Sequence, residues 1–137
     1  MKKLLLASFI CCVTFKVYAD TDSSKVDTDA IERLPALKTE QVIELMNSEP
    51  TMTGSSSNGQ KYKVNFYKDG TLRAKSTKRG DDSIIIQDVG KWHLGEKSKL
   101  CILYSAWSLG VENCRRIRVK DGSPVFGPDQ AVLKKED

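Results

Sequence analysis

Few side chains in this sequence have the types and spacing that catalysis requires. His93 is the only histidine, and Asp88 would have to be its acidic partner in a serine–histidine–aspartate arrangement. Because the two positions differ by an odd number, a regular strand would place them on opposite faces. The chain also lacks a GxSxG motif and a pair of carboxylates set apart by apolar neighbours. We therefore predict no catalytic residues and a protein that is not an enzyme.

Two cysteines, Cys101 and Cys114, remain once the N-terminal leader described below is removed. In an oxidising compartment this pair favours a cross-strand disulfide, worth about 3 kcal/mol. The alternative is a zinc site that adds His93 and Asp88, but structural zinc needs four compactly spaced ligands and the chain has no CxxC. We expect the disulfide, with no metal and no cofactor. Cys114 shares a strand face with Arg116, so the bridge lies on the polar face unless a bulge shifts the register.

A cluster of basic side chains follows the second of these cysteines. Alternate residues on a strand share a face, so the cluster forms a basic ladder. A solvated outer face is the simpler interpretation; the alternative is a contact surface for an anionic partner, such as lipopolysaccharide, a cell-wall polymer or an acidic protein. The charge is too weak for a nucleic-acid partner. The ladder consists of Arg116, Arg118 and Lys120, and Arg115 lies close to it; the first hairpin carries a similar ladder of Lys61, Lys63, Arg73 and Lys75.

The first nineteen residues have the three parts of a secretory signal peptide. A basic start precedes an apolar run over 4–13, and Val17-Tyr18-Ala19 ends it with a small residue at each position that a signal peptidase reads. The run is too short to span a bilayer, and no later run is long enough. We predict cleavage after Ala19 and a periplasmic or secreted protein. Cleavage lowers the basic residues from 22 to 19 against 18 acidic ones, so the net charge falls from +4 to about +1.

The remaining chain divides into three parts. Residues 20–34 are acidic and lack apolar periodicity, which predicts a flexible arm. Residues 35–130 form a single β domain, and residues 131–137 a charged C-terminal tail. The composition, 39% apolar and 29% charged, excludes a disordered or collagenous chain.

One short helix is expected before the strands begin. Thr39 is a plausible N-cap, and Pro50 ends the helical pattern. Between them Val42, Ile43, Leu45 and Met46 form one apolar stripe that should face the core.

Beyond residue 60 the apolar period is two. Alternation around the Asp69-Gly70 turn predicts a hairpin, followed by a polar loop over 76–83. Further strands are expected over 84–94, 100–106, 111–120 and 123–126. Turns recur about every ten residues, which predicts a mainly β fold: a small antiparallel meander rolled into a barrel-like sheet, with one short N-terminal helix.

Aromatic side chains could either line a ligand cavity or fill the interior of such a barrel. For a domain this small, filling is favoured because little apolar material is spare. Whether the barrel encloses a cavity stays open. The candidate aromatics are Trp92, Trp107, Tyr62, Tyr104 and Phe66, and the predicted core residues are Trp92, Tyr62, Phe66 and Ile102.

The turn and cysteine motifs together resemble a known family. Asp69-Gly70-Thr71 precedes Asp88-x-Gly90-x-Trp92, Leu100-Cys101 and then Cys114. This order resembles an uncharacterised family of small secreted bacterial β domains over roughly residues 36–122. The resemblance implies a bacterial envelope location and a lipocalin-like or half-barrel sheet, and it carries no established activity. Where the family motif LCxxW has tryptophan, this chain has Tyr104.

These observations lead to one functional hypothesis and two alternatives. The chain is expected to be an exported, non-enzymatic binding module of the bacterial envelope, whose partner is an anionic envelope component or an unknown protein. The alternatives are a lysozyme-inhibitor-like protein and an envelope hydrolase with an unrecognised site.

Overall fold

The alternating apolar pattern of the sequence produces one curled antiparallel sheet, a half-barrel. The computed structural model describes residues 28–136, so the predicted signal peptide and residues 20–27 of the arm lie outside it. The mainly β prediction is confirmed. The helices are α1 (Thr28–Glu32) and α2 (Thr39–Asn47), and 3-10 turns occupy Glu96–Ser98 and Trp107–Gly110. The strands are β1 (Thr51–Ser55), β2 (Lys61–Phe66), β3 (Thr71–Lys78), β4 (Asp81–Leu94), β5 (Leu100–Tyr104), β6 (Asn113–Arg115), β7 (Arg118–Lys120), β8 (Ser123–Phe126) and β9 (Ala131–Lys134).

The order of the strands explains why the sheet curls. The order is β6-β5-β4-β3-β2-β1-β9-β8-β7, so the two edge strands are consecutive in the chain and only Arg116 and Ile117 separate them. A flat sheet of this width would hold its edges about 38 Å apart, at about 4.8 Å per strand. Three peptide steps, from Arg115 to Arg118, reach about 11 Å at most. The edges must therefore approach each other, and Ile117 at this junction is 1% exposed.

The concave face of the sheet holds the hydrophobic core. Buried side chains at alternate strand positions include Val64, Phe66, Leu72, Ala74, Leu100 and Ile102. Helix α2 contributes Val42, Leu45 and Met46 to the same cluster. The fourth residue of the predicted stripe, Ile43, is 45% exposed and points away from it. The helix thus covers part of the core with a stripe narrower than predicted.

Two of the predicted core residues are only half-buried. Phe66 and Ile102 belong to the cluster, whereas Trp92 and Tyr62 pack against its border. Trp92 meets Phe66 edge-to-face, with ring centroids 6.3 Å apart. Its indole Nε1 donates a 2.8 Å hydrogen bond to the carbonyl of Tyr67, which satisfies its polar atom.

The described part of the predicted acidic arm is ordered against the sheet. Residues 28–34 were expected to belong to a flexible arm, but they contain α1, whose Ile31 is buried. The following segment pairs with the β7 edge: the amide of Leu37 donates to Ile117 O (2.9 Å), and that of Val119 donates to Pro35 O (2.8 Å). Such pairing covers an otherwise open strand edge.

The predicted hairpin around Asp69-Gly70 is present, but the loop predicted over 76–83 is mostly strand. Asp69 Oδ1 accepts hydrogen bonds from the amide (2.9 Å) and hydroxyl (2.6 Å) of Thr71 and fixes the turn. Strand β3 runs on to Lys78, and β4 begins at Asp81. Side chains from Lys78 to Ser83 are exposed, so polar residues are tolerated in these strand ends, and the polar composition did not indicate a loop.

Strand β4 extends well beyond its neighbour β5. Strand β5 pairs with it only from Gly90 to Leu94. The backbone groups of Ile85 and Gln87 point away from β3, and no strand of the described chain pairs with them. Three consecutive isoleucines, 84–86, are exposed along this stretch. The first half of β4 is therefore an open sheet edge.

Two sequence-based boundaries were wrong. Residues 111–120 are not one strand: the chain breaks at Arg116–Ile117 and crosses from one sheet edge to the other. Residues 131–137 were expected to be a tail, but β9 (Ala131–Lys134) lies between β1 and β8.

The disulfide between Cys101 and Cys114 is present and joins directly opposed residues of β5 and β6. Leu100 and Ile102 face the core, so the bridge lies on the convex face, the polar face that strand alternation indicated. The break at Arg116–Ile117 then allows Ile117 to enter the core without a register shift in β6. The disulfide is typical of an oxidising compartment. In the described part of the chain, no helix has the length and apolarity needed to cross a membrane.

Replacing both bridge cysteines by alanine should lower the free energy of unfolding by about 3 kcal/mol, because the bridge closes a loop with a sequence separation of 13. Urea unfolding of wild type and Cys101→Ala/Cys114→Ala measures the difference. A reductant should destabilise wild type and leave the double variant unchanged. Two reactive thiols in the unfolded, non-reduced wild type would show that the bridge does not form.

Candidate functional site

A cleft of about 450 Å³ opens on the concave side of the sheet. Its walls come from β2, β5, the 3-10 turn at Trp107–Gly110 and the turn between β8 and β9. The volume lies within the range of small-molecule sites, and the walls combine apolar, aromatic and polar side chains as such sites do. Residues central to its chemistry are Tyr62, Tyr104, Trp107 and Asp129, with Gln60 and Asn113 also on the lining.

One side of the cleft is built on a hydrogen bond between Tyr62 and Asp129. The Tyr62 hydroxyl donates to Asp129 Oδ2. Burial raises the pKa of Tyr62, and the neighbouring Asp129 carboxylate raises it further, so the phenol keeps its proton and remains a donor. Gly54 leaves the space for this ring, since a β-carbon at that position would lie 2.6 Å from the Tyr62 hydroxyl. The pair positions a carboxylate at the cleft wall.

The opposite side carries two aromatic rings. The ring centroids of Tyr104 and Trp107 lie 5.6 Å apart, with their planes at 44°. Burial raises the pKa of Tyr104 to about 12, with further increases from the charges of Asp129 and Asp88. At neutral pH both cleft tyrosines are therefore uncharged.

Asp88 holds the loop that carries Trp107. Its Oδ2 accepts hydrogen bonds from the amides of Ala106 (3.0 Å) and Trp107 (2.8 Å), and its Oδ1 accepts one from the amide of Val89 (2.9 Å). Burial raises the pKa of this carboxyl, but the three amide donors outweigh that effect and set the pKa below its ordinary value. Asp88 therefore acts as a charged anchor for the aromatic wall.

The motif Asp88-x-Gly90-x-Trp92 has a structural role at each of its three positions. Asp88 anchors the Trp107 loop, and Trp92 closes the border of the core. At Gly90 a β-carbon would lie 2.2 Å from the Leu103 carbonyl oxygen, so only glycine allows the close approach of β4 and β5. These residues build the wall beside the cleft, whose lining is formed by Trp107 and Tyr104 rather than by the motif.

His93 lies on the convex face, away from the cleft. Its Nε2 is 2.7 Å from Glu112 Oε1, and it stands opposite Cys101 in the strand register. Asp88 lies on the other face, as the odd spacing indicated. His93, Cys101 and Glu112 bring three metal-ligand types together, but the Cys101 sulfur is bonded to Cys114 and offers no thiolate.

The structure separates the predicted basic ladder. Arg115 lies on β6, whereas Arg118 and Lys120 lie on β7 at the other edge, with Arg116 exposed on the link between them. The guanidinium of Arg118 donates to Leu34 O (3.0 Å), and the Lys120 ammonium donates to Gln130. None of these four residues lines the cleft. An anionic partner for this surface stays a prediction.

Sequence reasoning missed the residue that defines the cleft, Asp129. A buried tyrosine hydroxyl needs a hydrogen-bond partner, so Tyr62 signalled that one exists. The sequence could not indicate which, because Asp129 follows Tyr62 by 67 residues. Tyr104 and Trp107 were among the aromatic candidates, and the structure brings them together at the cleft.

No family model, curated protein or solved structure matches this chain.

Asp88→Asn should lower the free energy of unfolding by about 1–2 kcal/mol at neutral pH, because an amide cannot replace the carboxylate as acceptor of three hydrogen bonds. The folded pKa of Asp88 lies below its ordinary value. The contribution of Asp88 to the free energy of unfolding is therefore complete above its unfolded pKa of about 4. This contribution disappears as the pH falls through the lower pKa of the folded state. Urea unfolding between about pH 7 and pH 2 should show the two proteins converging in acid.

A matched control for this series is Asp82→Asn, an exposed aspartate at the start of the same strand. It should leave stability nearly unchanged throughout. Equal stability of wild type and Asp88→Asn at neutral pH would contradict the anchoring role.

Proposed function

We propose that this protein is an exported, non-enzymatic binding module of the bacterial envelope, and that the cleft is its ligand site. The observation that carries the proposal is an open cleft whose aromatic walls are held by side-chain hydrogen bonds. Asp88 fixes the Trp107 loop and Asp129 fixes Tyr62, so the walls are positioned without a ligand. Positioning of this kind lowers the entropic cost of binding.

Export is supported by two independent features. The Cys101–Cys114 disulfide suits an oxidising compartment. The first nineteen residues carry the basic, apolar and small-residue pattern of a signal peptide. The resemblance to small secreted bacterial β domains agrees with both.

The cleft lining favours binding over catalysis. It contains the hydroxyls of Ser56, Ser76 and Ser108, but a serine nucleophile needs an adjacent base. The single histidine, His93, is on the other face and paired with Glu112. The one carboxylate in the lining, Asp129, already accepts a hydrogen bond from the Tyr62 hydroxyl rather than from a serine.

The convex face offers a second candidate function, contact with an anionic polymer. Lys63 and Lys75 stand directly opposite each other in the register of β2 and β3, an arrangement that costs stability unless an anion lies nearby. Glu136 pairs with Lys63 at 3.3 Å. An anionic partner would be retained at low salt and released as the salt concentration rises.

The mature protein recovered from a bacterial periplasm or culture medium should begin at Asp20. Intact-mass measurement of the exported chain tests this directly, because removal of residues 1–19 changes the mass by a known amount. A product that retains Met1 would contradict the export proposal.

Trp107→Ala and Tyr104→Ala should each weaken binding to the cleft at least about tenfold, because each removes an aromatic wall. The measurement uses Nile red, a neutral apolar dye, and its fluorescence enhancement. Leu109→Ala is the control: this residue lies in the same 3-10 turn and is 95% exposed. Dye binding that is absent in wild type, or equal in all four proteins, would show that the cleft is not the ligand site.

A further inference from the structure

The cleft has a single formal charge on its lining, and it is negative. The carboxylate of Asp129 lies at the wall, and no lysine, arginine or histidine is among the lining residues. Asp88 adds a second negative charge close by, near enough to act on Tyr104. Both tyrosines stay neutral at physiological pH. A ligand in this cleft therefore experiences a negative potential.

The aromatic rings add to this potential. The faces of tyrosine and tryptophan rings carry partial negative charge and attract cations within about 6 Å of the ring centroid. Tyr104 and Trp107 are tilted at 44° with centroids 5.6 Å apart, so the two rings form an angled wall. Tyr62 provides a third ring, held in place by its hydrogen bond to Asp129.

The basic side chains lie elsewhere. Lys63, Arg73 and Lys75 are exposed on the convex face, and the Arg115–Lys120 segment is at the sheet edges. The cleft thus has the opposite sign from the surface outside it. An anionic ligand would have to give up its hydration beside Asp129 with no compensating cation on the lining.

From this arrangement we propose that the ligand of the cleft is an organic cation with an apolar body, a quaternary ammonium or a protonated amine. Asp129 is its counter-ion, and Tyr104 and Trp107 contact the methyl or methylene groups that surround the charge. The inference rests on the proposed function, because it assigns the chemistry of the ligand to that same cleft.

The test compares two molecules of the same shape that differ only in charge. Benzyltrimethylammonium is a cation, and neopentylbenzene is its neutral isostere. Each competes with Nile red for the wild-type cleft. The cation should displace the dye at a concentration at least about tenfold lower than the neutral isostere, as expected for a desolvated cation–aromatic contact. Benzenesulfonate, an anion of similar size, should displace it least.

Asp129→Asn should lower the preference for the cation at least about threefold, because it removes the counter-ion and leaves only the cation–aromatic contact, while Nile red still binds. The matched control is Asp121→Asn, an exposed aspartate in the β7–β8 turn, which should keep the full preference. Circular dichroism verifies that each variant is folded. If Asp129→Asn does not fold, the isostere comparison in wild type decides the proposal without it.

The outcomes separate the two proposals. Nile red binding with equal displacement by cation and isostere would overturn the cationic ligand and leave the cleft as a ligand site. Stronger displacement by benzenesulfonate would overturn it as well. Failure of Nile red to bind wild type would overturn the proposed function itself.

Discussion

The two-residue link between β6 and β7 is the constraint on which the rest of the structure depends. In the described chain these two strands are the opposite edges of a nine-stranded sheet. Because the link between them is so short, the sheet has to curl. Curling creates a concave face, and the link places Ile117 at the junction of the two edges, where it is buried. Segment 34–37 then pairs with the β7 edge, and α2 covers part of the core. The cleft occupies the part of the concave face that these elements leave open.

The Asp88-x-Gly90-x-Trp92 motif has a structural role in this curled sheet. Gly90 permits the backbones of β4 and β5 to approach at Leu103, and Trp92 closes the core border with its indole hydrogen bond satisfied. Asp88, the first residue of the motif, holds the loop after β5 by accepting hydrogen bonds from the amides of Ala106 and Trp107. The three residues of this motif specify architecture, and the groups facing the cleft lie outside the motif.

Much of the fold could be predicted because the alternation of apolar and polar residues and the turn residues are both local sequence signals. The β2–β3 hairpin follows from Asp69-Gly70 and its flanking pattern, and the disulfide follows from the cysteine pair and its compartment. The break at Arg116–Ile117 could not be predicted, because an apolar residue after an arginine continues a strand pattern equally well. Strand β9 ends in charged residues and resembled a tail, although Leu133 is buried by pairing with distant β1. The cleft depends on the same long-range pairing, since β9 follows directly on the turn that carries Asp129.

The open edge of β4 has a consequence for the behaviour of the protein at high concentration. An exposed edge with three consecutive isoleucines is a template on which another strand can add. If a second copy paired antiparallel around Ile85, Asp82 of each chain would stand opposite Asp88 of the other. Like charges directly opposed destabilise a strand pair, and Asp88 is already committed to the Trp107 loop. Asp88, which holds the Trp107 loop, therefore also disfavours edge-to-edge pairing of two β4 strands in that register.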